Sequence, residues 1–336
     1  MADYILLFCR QHGIPVKEDN TARKTKGNAG NVLAWPQGVN PDRTRLMLVS
    51  HMDTVDVGNS PAGYLKGGRI VTDGRHPAGL DNRLGVALLL NLLSEVKGDY
   101  ICAFTTQEEI GMYGAEAMRI PSGVKEIAVL DGSQSPGHGV LSTCGGVTFN
   151  VKLTGLASHA GIAPNAGRSA ILMASRAITK LKLGMPGKEV SVNIGVIKGG
   201  TRSNVVPAGA EVIGEVRADS IKRIRREVGK VKAVFAREAA ALKGKMTFTY
   251  KDMFLPYANT MKTPLVRRLA GAVKKAGLKP DFTHYRGGSD ANVFNPRGRV
   301  SANLSIGAHN PHSEKEYAEV REIAQAWRIV RALVER

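Results

Sequence analysis

Three short apolar runs punctuate the first half of the chain: Arg45-Leu-Met-Leu-Val-Ser50, Tyr100-Ile-Cys-Ala-Phe-Thr105 and Glu126-Ile-Ala-Val-Leu130. Continuous runs of this length, without polar alternation, predict strands buried on both faces. Between the first two lies Asn82–Glu95, Leu- and Ala-rich and long enough to be a helix. Downstream, Val147–Leu153, Arg168–Leu183, Glu189–Ile197, Ala210–Arg217, a basic amphipathic stretch and Lys245–Lys251 alternate as strand, helix, strand, strand, helix, strand. That order is the split, ferredoxin-like arrangement. The Gly/Ser-rich stretch from Gly132 to Gly146 reads as the linker into it. The sheet-and-helix pattern resumes near Leu265–Lys275, and Arg299–Ile306 predicts another buried strand. Ser313 and Glu316 have the spacing of a capping box, and Tyr317, Val320, Ala324, Trp327 and Val334 form one stripe on the helix expected after it.

The expected architecture is therefore α/β: a catalytic domain of 1–145 plus 256–336, with a mixed sheet flanked by helices, and an inserted α+β domain of 146–255. A chain of 336 residues can fill two such cores. Its 43% hydrophobic and 23% charged residues are ordinary for a globular protein. No apolar run reaches transmembrane length, and Tyr4–Cys9 is too short for a signal segment, so no membrane partner and a cytoplasmic location are expected. Cys9, Cys102 and Cys144, an odd number without metal-type spacing, are expected as free buried thiols. The net charge of +18 is concentrated in part at Lys222, Arg223, Arg225, Arg226, Lys230 and Lys232. Ile221, Ile224, Val228, Val231 and Phe235 interleave with them at helical spacing, which makes the cations the wet face of a helix. An acidic protein partner is the alternative use of that face. Only 5% of residues are aromatic and no recognition motif is present, which argues against nucleic acid.

The chemistry-bearing residues sit where the predicted elements end. His51 and Asp53 follow the first apolar strand, Glu108 and Glu109 the second, and Asp131 the third. Open α/β sheets build their sites at the carboxyl ends of strands. In the His-x-Asp pair both side chains leave the strand on one side, so Asp53 is expected to accept a hydrogen bond from His51. Asp81 precedes a helix, where a carboxylate meets the favourable end of the macrodipole, and His312 lies just before the expected cap. Taken singly these are weak: an isolated Glu-Glu is usually a solvated helix start and a lone histidine a surface residue. Together they supply two imidazoles and three carboxylates as ligands for two divalent ions, with one carboxylate left for proton transfer. Imidazole nitrogen favours zinc, cobalt or manganese over calcium or magnesium.

The segments HMDT, LDNRLG, QEEIG, SHAG, GGTRSNVVP, RGGSDANVFN and the final His-Ser-x-x-Glu resemble the peptidase T branch of the di-zinc metallopeptidases. That family includes aminoacylase, acetylornithine deacetylase and carboxypeptidase G, and the resemblance runs from about Gly30 to the C-terminus. LDNRLG and TTQEEIG also look like the glutamyl-aminopeptidase group of the same clan. There an extra domain precedes the bridging aspartate; here only about thirty residues separate it from His51. The resemblance implies a zinc-exopeptidase-like catalytic domain and an inserted lid that forms a homodimer. It implies that Asp81 bridges the two metals, with His51 and Asp131 completing one site and Glu109 and His312 the other. Glu108 is then the general base, His159 an oxyanion-stabilising group from the lid, and Asn204 a substrate contact. Arg286, beside two glycines, would hold a peptide carboxylate. The Asp81–Asn82 bond is expected to be cis. The family's leading helix and Ser-rich turn are expected to be short or missing before Gly30.

The expected activity is metal-dependent hydrolysis of amides, in particular removal of the N-terminal residue from di- or tripeptides. The same chemistry would serve an N-acyl-amino-acid deacylase or a hydrolase freeing an amino acid from an acidic carrier protein. A catalytically silent binding protein on the same fold is the remaining class. The intact base and ligand set argue against it.

Overall fold

The computed structural model describes residues 1–58 and 63–335. The chain divides into two compact units, Met1–Ser142 with Ala258–Arg336, and Thr143–Tyr257.

The first unit is a mixed α/β structure built on a nine-stranded sheet. Its centre is four parallel strands in the spatial order Tyr100–Thr105, Leu46–His51, Glu126–Leu130, Val300–Leu304. The first three are buried at every position, as uninterrupted apolar runs require when helices cover both faces. Val32–Ala34 pairs antiparallel with Tyr100–Thr105 and carries Val16–Glu18 outside it. On the other side His138–Thr143 runs antiparallel to Val300–Leu304, with Asp281–Tyr285 and Tyr257–Ala258 alongside.

Register decides where the strands deliver their ends. His51 lies level with Thr105, and Leu304 with Leu130, so residues 52, 106 and 131 emerge on one rim. Helix Leu80–Glu95 packs against Leu46–His51 and has ten of its sixteen residues buried, which is why its sequence carries no clean amphipathic stripe. Helices Ala2–Gln11, Pro264–Lys275 and Val320–Val334 complete the core of this unit. A helix of ten residues, Ala2–Gln11, precedes Gly30.

The second unit has five strands in the order Gly184–Gly187, Val190–Gly199, Gly209–Ala218, Gly145–Thr154, Lys245–Phe254, all antiparallel. Helices Ala170–Lys180 and Ile221–Ala241 pack on it around Phe149, Val212, Met173 and Phe235. Ser169 and Ser220 cap them, accepting from the amides of Leu172 and Arg223. The short hairpin strand Gly184–Gly187 was not expected; its Gly-Met-Pro-Gly sequence carries no strand periodicity. On the basic helix Ile224, Val228, Val231 and Phe235 are buried, but Ile221 is 46% exposed, because it is the first residue after the cap and faces outward. Arg223 pairs with Asp219 and Glu189, Arg225 with Asp252, and Arg226 and Lys230 with Glu227. Much of the charge on that face is neutralised within its own unit.

Two further expectations need correction. Gly132–Gly146 is not simply a linker: His138–Thr143 is a strand, and the next begins at Gly145. Ser313 and Glu316 do not cap the last helix, which starts at Val320; a three-residue strand, Tyr317–Glu319, intervenes and pairs with Arg69–Val71. The spacing of a capping box was present, but sheet pairing claimed the backbone it would have capped. Cys9, Cys102 and Cys144 are buried, and among the described residues none of them is in a disulfide and no helix is long and apolar enough to cross a membrane.

Gly85, in the first turns of Leu80–Glu95, has a steric reason. A Cβ there would lie 2.3 Å from Asn82 Oδ1, 2.5 Å from Ser50 Oγ and 2.9 Å from the Leu130 carbonyl oxygen. Gly85→Ala should therefore push the helix off the strand ends and cost about 1–3 kcal/mol, the usual range for overpacking. Urea denaturation should show a lower midpoint; an unchanged midpoint would remove this account of the glycine.

Candidate dimetal centre

Five candidate ligands of the first unit converge at the strand rim, with Asp81 at their centre. Its Oδ1 lies 3.1 Å from His51 Nε2 and its Oδ2 3.4 Å from His312 Nε2. His312 Nε2 also lies 3.0 Å from Glu109 Oε2. Two groups of donor atoms result, His51 with Asp81 and Asp131, and Asp81 with Glu109 and His312, each within 4.8 Å. Asp81 belongs to both.

Local structure sets each of these positions. His51 is the last residue of its strand, 2% exposed, and its Nδ1 lies 3.0 Å from the backbone oxygen of Asp53. Asp53 was expected to orient His51 through its carboxylate, but Oδ1 stands 3.7 Å from Nδ1. The carboxylate instead accepts hydrogen bonds from the amides of Glu108 and Glu109, each at 3.1 Å. The chain turns after His51, so the carbonyl rather than the side chain reaches the ring. Gln107 and Met112, both at φ 57, turn the intervening segment sharply, and Gly114 packs against Thr106 and Asn31 so closely that a Cβ would meet Thr106 O at 2.0 Å. Asp131 leaves its strand beside Asn303, whose amide nitrogen donates to the Asp131 carbonyl. His312 sits at φ 63, half exposed, in the loop before Tyr317–Glu319. Asp81 and Asn82 depart from helical geometry inside Leu80–Glu95, and the peptide between them is cis.

The electrostatics are those of partly buried acids crowded together at the strand rim. Burial, and then the charge of Asp81, pushes the Asp131 carboxyl up to about 7. Burial and the charge of Asp131 raise Glu108 well above the carboxylate range. Glu109 is raised by burial and by Asp81. Asp81 goes the other way: burial opposes its charge, but the imidazoles of His312 and His51 hold it below the usual range. The hydrogen bond to Asp81 lifts His312 to about 9.

This arrangement fits divalent cations. The donor set divides evenly into two clusters, three buried or half-buried carboxylates repel one another there, and Glu109 Oε1 is buried with no hydrogen-bond partner. A bound cation would satisfy that oxygen and the shared charge.

Several residues at the site were not singled out from sequence. Glu316, 1% exposed, accepts from the amides of Gly79 and Asp81. Asp290, 1% exposed, accepts from Thr105 Oγ1 at 2.6 Å, keeps its other oxygen unpartnered, and is pushed up to about 6 by burial. Asn82 ties the helix to the strand by donating to the Leu130 carbonyl at 2.7 Å. For Asp290 and Asn82 the signal was an acid or amide inside RGGSDAN and LDNRLG; for Glu316 the capping-box reading concealed it.

The remaining candidates belong to other elements of the chain. Arg286 is half-buried in the bend after Asp281–Tyr285. His159 and Asn204 belong to the second unit, where they are neighbours: the Ala160 amide donates to Asn204 O, and His159 bridges to Val205. His159 Nδ1 accepts from the amides of Gly161 and Ile162, both at 3.2 Å, which in the neutral ring leaves the proton on Nε2.

Residues 141–243 match the peptidase dimerisation domain model, and residues 66–144 match the glutamyl aminopeptidase model. An uncharacterised protein of Bacillus subtilis, YqjE, is 30% identical over 96% of this chain and 89% of its own length. The crystal structure of aminopeptidase PepT from Bacillus cereus is 29% identical, with a TM-score of 0.88 over 99% of this chain and 91% of that one. A tripeptidase structure from Staphylococcus aureus is 25% identical, with a TM-score of 0.92 over the same shares. The chain belongs to the peptidase T-like branch of the M20 metallopeptidases. It is a metal-dependent peptidase or amidohydrolase, and its paired donor clusters suit two metal ions.

Asp53→Asn should test the role of that carboxylate. One amide acceptor becomes a donor facing a backbone N–H, so about 1–3 kcal/mol of stability should be lost. Thermal melting of the metal-free protein would register the loss, and an unchanged midpoint would contradict it.

Proposed function

We propose that this enzyme is a dimetal exopeptidase that removes the N-terminal residue from di- or tripeptides, with zinc as the resident metal and cobalt or manganese as competent substitutes. The observation that carries the reading is the pair of donor clusters sharing Asp81. In it, His51, Asp81 and Asp131 hold one ion, and Asp81, Glu109 and His312 the other. The substrate class is carried over from the relatives, one of them an aminopeptidase and another a tripeptidase.

Held by His51, Asp81, Asp131, Glu109 and His312, two divalent ions would supply Lewis acidity, which lowers the pKa of a bound water towards about 7. Glu108 takes the water's proton and returns it to the leaving amine. Its carboxyl, raised by desolvation and by the charge of Asp131, sits beside the ligand set without belonging to either cluster and is the group left for that transfer. Asp53 fixes the backbone of both glutamates. Arg286 grips the peptide C-terminus through its planar fork, and Asn204 contacts the substrate. His159 presents its Nε2 proton to the oxyanion, an assignment supported by the double acceptance at Nδ1. The match of 141–243 to a dimerisation domain supports a homodimer formed through the second unit.

The direct test is hydrolysis of tripeptides against acetyl amino acids by purified protein reloaded with zinc, cobalt or manganese. Tripeptides should be cleaved after the first residue; preferential cleavage of acetyl amino acids would make the enzyme a deacylase. Glu108→Gln should keep metal and lose activity by orders of magnitude, since an amide cannot take the proton. Glu109→Gln should lose metal, and swapped behaviour would reverse the assignment of the pair.

His159→Ala should lower kcat by about 100- to 1,000-fold at unchanged metal content. Mixing it with Glu108→Gln chains asks which subunit supplies the imidazole: activity regained in a verified heterodimer places it in trans, and none regained excludes that.

A further inference from the structure

We propose that Glu316 is the positioning residue of the dimetal centre: its carboxylate sets the backbone of Asp81 and ties it to the loop that carries His312. The inference rests on the reading of Asp81 and His312 as ligands. Glu316 Oε2 accepts from the amide of Gly79 at 2.7 Å and Oε1 from the amide of Asp81 at 2.9 Å. The residue is 1% exposed, so each of its oxygens has exchanged water for a backbone N–H.

Burying one more carboxylate beside a cluster of carboxylates is costly unless the charge itself is used. Here it is. Gly79 is at φ +67, and a Cβ there would meet Thr54 Cγ2 at 2.9 Å, so the turn that aims both amides at one anion requires glycine. With its amide held, Asp81 can offer its two oxygens in opposite directions, Oδ1 towards His51 and Oδ2 towards His312.

The other end of the clamp is equally constrained. Residues 309–317 form a closed loop, with paired backbone hydrogen bonds between His309 and Tyr317, and the Glu316 amide donates to Ser313 O at 3.1 Å. The strand Tyr317–Glu319 then fastens the loop to Arg69–Val71. One loop therefore delivers a ligand, His312, and the residue that places the shared ligand, Asp81. Metal–ligand bonds tolerate about ±0.2 Å, so a small shift of Asp81 is felt in both clusters.

The test is metal uptake by the metal-free protein, read by competitive titration and by the visible absorption of bound cobalt(II). Wild type should take up two ions per chain. Glu316→Gln keeps the shape but turns one acceptor towards an N–H as a donor; affinity should fall by roughly 10- to 100-fold and the cobalt spectrum should change. Glu126→Gln removes a comparably buried carboxylate, paired with Arg45 at the opposite end of the sheet, and should leave affinity and spectrum unchanged even where it lowers the melting point. Should Glu316→Gln fail to fold, Glu316→Asp, one methylene shorter with its charge kept, should show the same loss of affinity. Wild-type affinity and spectrum in a folded Glu316 variant overturn the proposal while leaving the dimetal reading intact. A wild-type protein that takes up fewer than two ions overturns both.

Discussion

The constraint on which the first unit depends is the placement of one carboxylate, Asp81, between two imidazoles that come from opposite ends of the chain. His51 arrives at the end of a central strand, and His312 on a loop more than two hundred residues later. Both imidazoles reach this one carboxylate, and the acid is the least regular part of its own helix. Its backbone departs from helical angles, its amide is spoken for by Glu316, and the neighbouring Asn82 anchors the turn to the end of another strand. Rigidity is borrowed from three separate elements because no single one could supply it.

The parallel sheet makes this convergence possible at low cost. Aligned registers bring His51, the Glu108–Glu109 segment and Asp131 to one rim without long excursions of the chain. The polar groups exposed there by strand termination are absorbed by local contacts: Asp53 takes the amides of both glutamates, and Asn303 the carbonyl of Asp131. The local contacts leave one oxygen each of Glu109 and Asp290 buried without a partner. The unpartnered Glu109 oxygen and the raised Asp131 and Glu108 carboxyls mark a pocket short of positive charge. A fold selected for stability alone would have spread these acids apart. Their concentration is the mark of a site built around cations.

The second unit obeys a different economy. Its sheet and two helices close a core of their own, and its helix cations are largely matched by acids of the same unit. The high net charge of the chain is therefore compatible with an ordinary amphipathic helix. His159 stands out there because the amides of Gly161 and Ile162 turn back to its Nδ1, which in the neutral ring leaves the proton on Nε2.

Strands buried on both faces were legible in the sequence because a parallel sheet asks only for uninterrupted apolar runs, and Leu46–His51, Tyr100–Thr105 and Glu126–Leu130 have them. The acids and histidines at their ends were legible for the same reason. The strand-helix order of the inserted region was written in its periodicity, apart from the hairpin strand Gly184–Gly187, whose composition has none. Contacts that side chains make across long sequence separations could not be read this way. Asp53 serves the glutamates rather than His51 because the chain bends after the strand, and Glu316 serves Asp81 rather than a helix cap because Tyr317–Glu319 is drawn into pairing with Arg69–Val71. A capping box and a buried clamp have the same spacing; which one forms depends on what the backbone meets in space. Sequence determined which residues stand at the ends of elements, and tertiary structure decided which of them face one another, because register and loop closure are set by pairing partners far away along the chain.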